Sequence, residues 1–331
     1  MGVTVGLIVN PVAGRDVRRL VSRASLMSNQ EKAAICRRVL EGLAAVGVER
    51  VWAFDDGIGI LRTACDGFRR LPVGLIEMET EGTADDSVAA ARACRRLGTG
   101  ALVTLGGDGT NRAVAQGCGE VPLVAVSTGT NNVFPTSVDG TIAGMAAGLV
   151  AAGAVPLKAV ARQAKRVEVT VAGEYNFALI DAALSREPFV AGRAIWEPSR
   201  LRAIVFARAE PWAVGLSSIG GRLRSVSPEE PAGLYLELGN GPKVLATLAP
   251  GLVTEVGVAE WRVLKLEEAV ELPATAGTLA LDGERELTVD GAAQARVCRS
   301  GPLVVDIRAA LAAAHLVTGE APALAAGGED G

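Results

Sequence analysis

Residues 106–110 read Gly-Gly-Asp-Gly-Thr, a single acid framed by three glycines, directly after the apolar run of residues 101–105, ALVTL. A short apolar run without alternation suits a strand buried on both faces of a parallel sheet. Gly106, Gly107 and Gly109 admit backbone angles that a Cβ forbids and let a ligand approach the main chain, so Asp108 is expected to be the one side chain reaching out of the turn. That makes it an exposed carboxylate at the carboxyl edge of a strand. Thr110 is placed to cap a helix beginning near Asn111, whose free N–H groups and positive dipole end attract an anion. An anion beside a carboxylate calls for a metal between them, with Asp108 as its ligand.

Two further loops have the same texture. Residues 127–135 (STGTNNVFP) follow the apolar run 122–126 and offer Thr128, Gly129, Thr130, Asn131 and Asn132, while residues 10–16 (NPVAGRD) follow the run 3–9 and offer Asn10 and Gly14. Small polar loops at neighbouring strand ends make the crevice in which open α/β sheets bind ligands. Each also reads as a plain turn on its own. The dinucleotide fingerprint G-x-G-x-x-G is missing from the first turn, and the P-loop pattern G-x-x-x-x-G-K-[ST] from the whole chain.

These loops need a scaffold, and strand and helix patterns alternate from residue 3 to about 127. Strands are expected at 3–9, 50–54, 73–77, 101–105 and 122–126; helices around Val17 to Val21, at 30–45, 58–69, 83–97 and 138–152. Thr83-Ala-Asp-Asp86 is a near-match to a capping box. The alternation predicts a doubly wound parallel sheet over residues 1–136. Beyond it come short strand-like runs at 160–171, 175–184, 201–207, 234–238, 243–248, 262–266, 277–281, 286–289 and 301–306, which predict an all-β, sandwich-like domain over 137–306. A helix follows at 307–317, carrying His315, and the tail 318–331 lacks apolar periodicity, the pattern of disorder.

The second domain holds three stretches with chemical content. Asp181 ends an apolar run, the loop of residues 215–221 presents Ser217 and Ser218, and residues 281–284 read Leu-Asp-Gly-Glu, with Asp282 and Glu284 around a glycine. A hairpin turn is the structural alternative for the last two. Arg193, flanked by apolar residues, reads either as a phosphate clamp or as a surface ion-pair partner.

Composition narrows the classes. The chain has 331 residues, enough for two domains, and 49% hydrophobic residues, enough for two cores. A net charge of −4 gives no basic footprint for nucleic acid or anionic lipid. Five scattered cysteines and one histidine fit neither a zinc site nor a disulfide framework, and point to buried thiols in a reducing cytosol. The N-terminus runs straight into a strand, and the most apolar window, 142–155, is glycine-interrupted and too short to span a bilayer. A soluble cytoplasmic protein is expected.

The Gly106–Thr110 pentapeptide resembles the GGDGT signature of NAD kinases and of diacylglycerol and sphingoid lipid kinases. Residues 10–14 resemble the N-P-x-[SA]-G turn of the lipid-kinase branch, and residues 127–134 its P-x-G-T-x-N-D-F segment, with Gly129, Thr130, Asn132 and Phe134 matching. Val133 stands in place of the acid and Thr136 in place of an arginine, and Arg112-Ala113 replaces the Asn-Glu that follows GGDGT. Residues 178–184 resemble the A-L-N-[ED] strand of NAD kinases, residues 215–221 occupy the place of their Thr-Gly-Ser loop, and residues 282–284 resemble the D-G-E element of lipid kinases. Together with Ala191-Gly-Arg-Ala-Ile-Trp196 the combination is most similar to the acetoin-catabolism X (AcoX-like) group, described as ATP-NAD kinase-like.

The resemblance implies phosphoryl transfer from ATP, or from polyphosphate, to a hydroxyl of NAD or a related cofactor, with Mg²⁺. It makes Asp108 the catalytic residue, positioning the metal through water or taking the acceptor proton. It implies a phosphate cradle from the amides of residues 107–110, acceptor contacts from Asn131, Asn132 and Asp181, and positive charge from Arg15, Arg112 or Arg193. It also implies a homo-oligomer and a C-terminal segment crossing back onto the first domain. Three other readings stay open: a lipid or sphingoid kinase, a non-catalytic nucleotide-sensing accessory protein of acetoin catabolism, and a kinase of a thiamine-type cofactor.

Overall fold

The computed structural model describes residues 2–11, 13, 27–129, 131–187 and 198–314. Strands and helices alternate through the first part: β1 (Thr4–Val9), α1 (Asn29–Ala45), β2 (Arg50–Ala53), α2 (Ile60–Cys65), β3 (Val73–Leu75), α3 (Ala84–Arg96), β4 (Ala101–Gly106), α4 (Asp108–Ala115), β5 (Leu123–Ser127) and α5 (Gly140–Ala151). A short helix α6 (Leu157–Val160) and strand β6 (Ala161–Gln163) lead into β7 (Arg166–Val171), β8 (Glu174–Ala178), β9 (Asp181–Ser185) and β10 (Leu201–Phe206). Helix α7 (Ser217–Leu223) precedes β11 (Ala232–Ala249), β12 (Leu252–Lys265), β13 (Ala269–Glu271), β14 (Gly277–Leu281), β15 (Glu284–Val289) and β16 (Ala293–Cys298). Strand β17 (Leu303–Val305) and helix α8 (Ile307–Ala313) end the described chain.

The first sheet has the order β3-β2-β1-β4-β5-β17-β6, parallel except for β6. Its central strand β4 is buried at every position, as a run without alternation requires. Alternate residues face opposite layers: Val5, Leu7 and Val9 pack with α1, α5 and α8, and Ile8 with α3 and α4. Strand order turns at β1, with β2 on one side and β4 on the other, so the loops after β1, β4 and β5 lie side by side at one edge.

The second part is a sandwich of two antiparallel sheets, β12-β11-β10-β9-β14-β15 and β13-β16-β7-β8, enclosing an aliphatic core that includes Val167, Leu184, Val205, Leu279 and Val297. The two parts share a core as well. Phe177 of β8, with Leu179 and Ile180 between β8 and β9, is buried in the cluster that holds Val114 of α4 and Phe134.

Several elements differ from their sequence reading. The runs at 234–238 and 243–248 belong to one 18-residue strand, β11, because the intervening Gly239-Asn-Gly-Pro242 forms an irregularity in the ladder with β12 and not a hairpin turn. The second helix covers only Ile60–Cys65 of the expected 58–69. Residues 140–163 and 303–305, expected in the sandwich, build onto the parallel sheet: α5 packs in its core, and β17 and β6 extend its edge. The crossing back therefore begins with a strand, before α8. Strands β13 and β16 had no separate expectation. Four cysteines are buried and Cys65 is half-buried, all as free thiols. Among the described residues no helix is long and apolar enough to cross a membrane. Gly14, Arg15, Thr130, Arg193, His315, the helix expected near Val17 and the tail lie outside the described residues.

Candidate active site

The GGDGT turn is tighter than its glycine content suggests, and for a different reason. None of Gly106, Gly107 and Gly109 has a positive φ. The glycines serve close approach: a Cβ on Gly106 would lie 2.5 Å from the Thr110 side chain, and one on Gly107 2.8 Å from Asn132 Oδ1. Asn132 also stands 2.8 Å, through Nδ2, from where a Cβ on Gly129 would be, and that same nitrogen donates to Ser127 Oγ at 2.8 Å. The GGDGT turn and the 127–135 loop thus touch across Asn132 with no room for a methyl group.

Helix α4 begins earlier than expected. Gly107, extended at φ −104°, is its N-cap, and Asp108 is its first residue. Thr110 is therefore inside the helix, where its hydroxyl accepts a 2.8 Å hydrogen bond from Asn10 Nδ2. Asn10 in turn receives the Ala13 amide on Oδ1 at 3.2 Å, and its own amide donates to Leu105 at 3.0 Å. The first turn is tied to the GGDGT turn by these bonds. Asn111, fully buried, accepts from Thr104 Oγ1 at 2.7 Å and donates to the Gly107 carbonyl at 2.8 Å, which fixes the helix start against β4.

Asp108 is half-buried, not the exposed carboxylate its glycine neighbours suggest. Its Oδ1 accepts from the Phe134 amide at 2.8 Å, and both oxygens accept from the Val133 amide at 3.1 Å. Burial, and then the negative charge of Asp282, push its carboxyl up from 3.8 to about 7; the Phe134 and Val133 amides and the Arg208 charge pull the other way without overcoming them. A carboxyl poised near neutrality at a helix N-terminus is suited to hold or exchange a proton.

Asp282 has a different environment. It sits at φ +53° on the turn between β14 and β15, and its carboxylate accepts from the amides of Leu179 (3.0 Å), Ile180 (2.7 Å) and Asp181 (3.4 Å). Arg112 Nε lies 3.4 Å from Asp282 Oδ2 in an ion pair whose side chains are 7% and 0% exposed. Burial raises the Asp282 carboxyl, opposed by Arg112 and the three amides. The expected phosphate cation and the expected ligand acid are partners of each other. Asp181 is buried, and its carbonyl accepts the Asp282 amide at 2.9 Å.

Residues 215–221 carry helix α7 in place of a loop. Ser217 Oγ accepts from the Glu210 amide at 3.1 Å and donates to the Arg208 carbonyl at 3.2 Å; Ser218 Oγ donates to the Gly215 carbonyl at 2.8 Å. Both hydroxyls are buried in backbone support. They hold the segment that carries Arg208, whose guanidinium pairs with Glu210 at 2.7 Å. Among the described residues, the buried Thr128 Oγ1 and Asn131 Oδ1 find no hydrogen-bond partner, two orphaned acceptors in the loop beside Asp108. The Glu284 side chain is outside the described residues.

Lys32 has no place in the motif reading, yet it underlies the site. From α1 its ammonium donates to the carbonyls of Pro11 (2.7 Å), Ala13 (2.7 Å) and Asn10 (3.4 Å) and is 1% exposed. The signal for it was a lysine on an otherwise apolar stripe with Cys36, Val39, Leu40 and Leu43. Among the described residues no three His, Cys, Asp or Glu side chains gather to hold a metal.

Residues 5–154 match the ATP-NAD kinase N-terminal domain, and residues 165–300 match the acetoin catabolism protein X C-terminal domain. The chain is 39% identical over 300 residues to the acetoin catabolism protein X of Cupriavidus necator, an overlap covering 86% of this chain and 84% of that relative.

Proposed function

The chain belongs to the family of acetoin catabolism protein X, with an N-terminal domain of the ATP-NAD kinase type, and from that premise we propose that it transfers a phosphoryl group from ATP or another phosphoryl donor to a hydroxyl of NAD or a related cofactor. The observation that carries this reading is Asp108, raised to about 7 at the first position of α4 and facing the 127–135 loop.

Phosphoryl transfer asks the protein for alignment and charge neutralisation more than for covalent chemistry. Asp108 takes the acceptor hydroxyl's proton as the oxygen attacks. The amides at the start of α4 offer donors to phosphate oxygens. Asn131 and Thr128 supply the orphaned acceptors for the incoming hydroxyl compound, and Asp181 borders it from the sandwich side. Lys32 adds a fixed positive charge beneath the first turn, in a chain without a P-loop lysine.

A magnesium ion fits this donor set only as one shared with the donor phosphates, since Mg²⁺ is commonly held by one or two carboxylates with phosphates and water. Asp108 would hold it, directly or through water, and it would supply neutralising charge to the group in transit. The protein is expected to work in the cytoplasm, as a homo-oligomer, without nucleic acid or membrane.

A second reading is a nucleotide-sensing accessory protein of acetoin catabolism. Ala113 and Val133, at positions where the resembling lipid kinases carry acids, favour it. Incubation of the purified protein with Mg-ATP and NAD, thiamine or diacylglycerol, followed by mass spectrometry, separates the two. A cofactor gaining one phosphoryl group is the expected result; ATP binding without any phosphorylated product supports the sensor.

A further inference from the structure

Arg112 and Asp108 lie four residues apart on α4, so they occupy one face of the helix. Arg112 reaches the other half of the molecule. Its partner, Asp282, is held in place by the sandwich without Arg112's help: three consecutive amides, of Leu179, Ile180 and Asp181, point at the carboxylate, and the Asp282 amide returns a bond to the Asp181 carbonyl. The segment supplying those amides is anchored, with Phe177, Leu179 and Ile180 buried alongside Val114 of α4 and Phe134. An acid fixed by one domain and an arginine carried by the other thus meet, both buried, one helical turn from Asp108.

Holding two parts together does not require charge here, because the apolar junction already does so. A buried ion pair is weak evidence for stability, since desolvation offsets much of its attraction, but it is demanding in geometry. We infer that Arg112 and Asp282 form a positioning pair: the pair sets the register of α4 on the sandwich and so fixes Asp108 against the Val133 and Phe134 amides and the acceptor side of the cleft. This rests on the phosphotransfer reading for its kinetic consequence and not for its structural one.

The test uses the full chain as Arg112→Met, Asp282→Asn, the double variant and Arg112→Lys. Arg112→Met leaves a buried carboxylate without this cation and is expected to melt well below wild type. The double variant removes both charges and should recover the melting temperature to within a few degrees. Positioning predicts that it nevertheless exchanges the Val133 and Phe134 amides at least tenfold faster than wild type. It also predicts a transfer rate lowered at least tenfold at saturating substrates, with Mg-ATP affinity changed less than twofold. Arg112→Lys, which keeps a cation, should retain wild-type exchange. A double variant with wild-type exchange at both amides would overturn the inference, as would Arg112→Lys behaving like the double variant. If wild type transfers no phosphoryl group, the functional reading fails while the exchange measurements still decide the pair.

Discussion

Lys32 donates a 2.7 Å hydrogen bond to the carbonyl of Ala13, joining α1 to the stretch that follows β1. With its bonds to Pro11 and Asn10 it gathers three carbonyls of that stretch. The same ammonium is a fixed positive charge beneath these residues, which would favour a phosphate bound near them. Lys32→Met keeps most of the stem's packing and removes the three bonds. It is expected to lower stability by about 2–4 kcal/mol, read by urea unfolding, and to weaken Mg-ATP binding at least tenfold, read by calorimetry.

Asn132 occupies the space in front of both Gly107 and Gly129, so Gly107→Ala must displace it. The added methyl group needs about half an ångström or more, and the two loops would separate. Overpacking of this kind costs about 1–3 kcal/mol. The double variant Gly107→Ala/Asn132→Ala, in which the obstructing amide is gone, should recover stability but not turnover.

Burial and Asp282 hold the Asp108 carboxyl near 7, so the metal-free protein carries a strained charge at higher pH. A carboxyl raised on folding costs stability above its folded pKa, and the cost fades as pH falls toward the unfolded value near 4. Metal-free wild type should therefore gain stability between pH 7 and pH 4 relative to Asp108→Asn. At pH 8 the variant should be the more stable, by up to about 4 kcal/mol. Thermal melts across that range check the crossover.

Glu168 behaves in the opposite sense. Burial alone would raise it, but hydrogen bonds from Arg166 and Arg296, with Tyr175 adding one at 3.0 Å, hold it at about 2. A depressed carboxyl contributes stability above its unfolded pKa near 4.5, which is lost as pH falls toward 2. Glu168→Gln should lose about 1–3 kcal/mol at pH 7 and show a flatter acid limb in chemical denaturation, with the two proteins converging near pH 2.

The parallel sheet was legible because its strands are uninterrupted apolar runs and a helix such as α3 carries its cap, Thr83. The sandwich was legible as a class and not strand by strand. The Gly239–Pro242 stretch has turn composition but lies within β11, where ladder pairing overrides local preference. The site divided along the same line. Asp108, at the start of α4, and Asn10 and Asn132, in loops, belong to stretches whose composition announces them. The pairing of Arg112 with Asp282, 170 positions apart, is a tertiary fact with no local signature, and it redirects an arginine that looked available for phosphate. Lys32 left a trace, one charge on an apolar stripe, that motif matching passes over.

The most direct measurement is single-turnover phosphoryl transfer by wild type and Asp108→Asn, with Mg-ATP affinity measured alongside. The account predicts ATP binding within a few-fold in both, an intact fold, and a transfer rate at least ~10²-fold lower in the variant. Transfer by Asp108→Asn at the wild-type rate would contradict it.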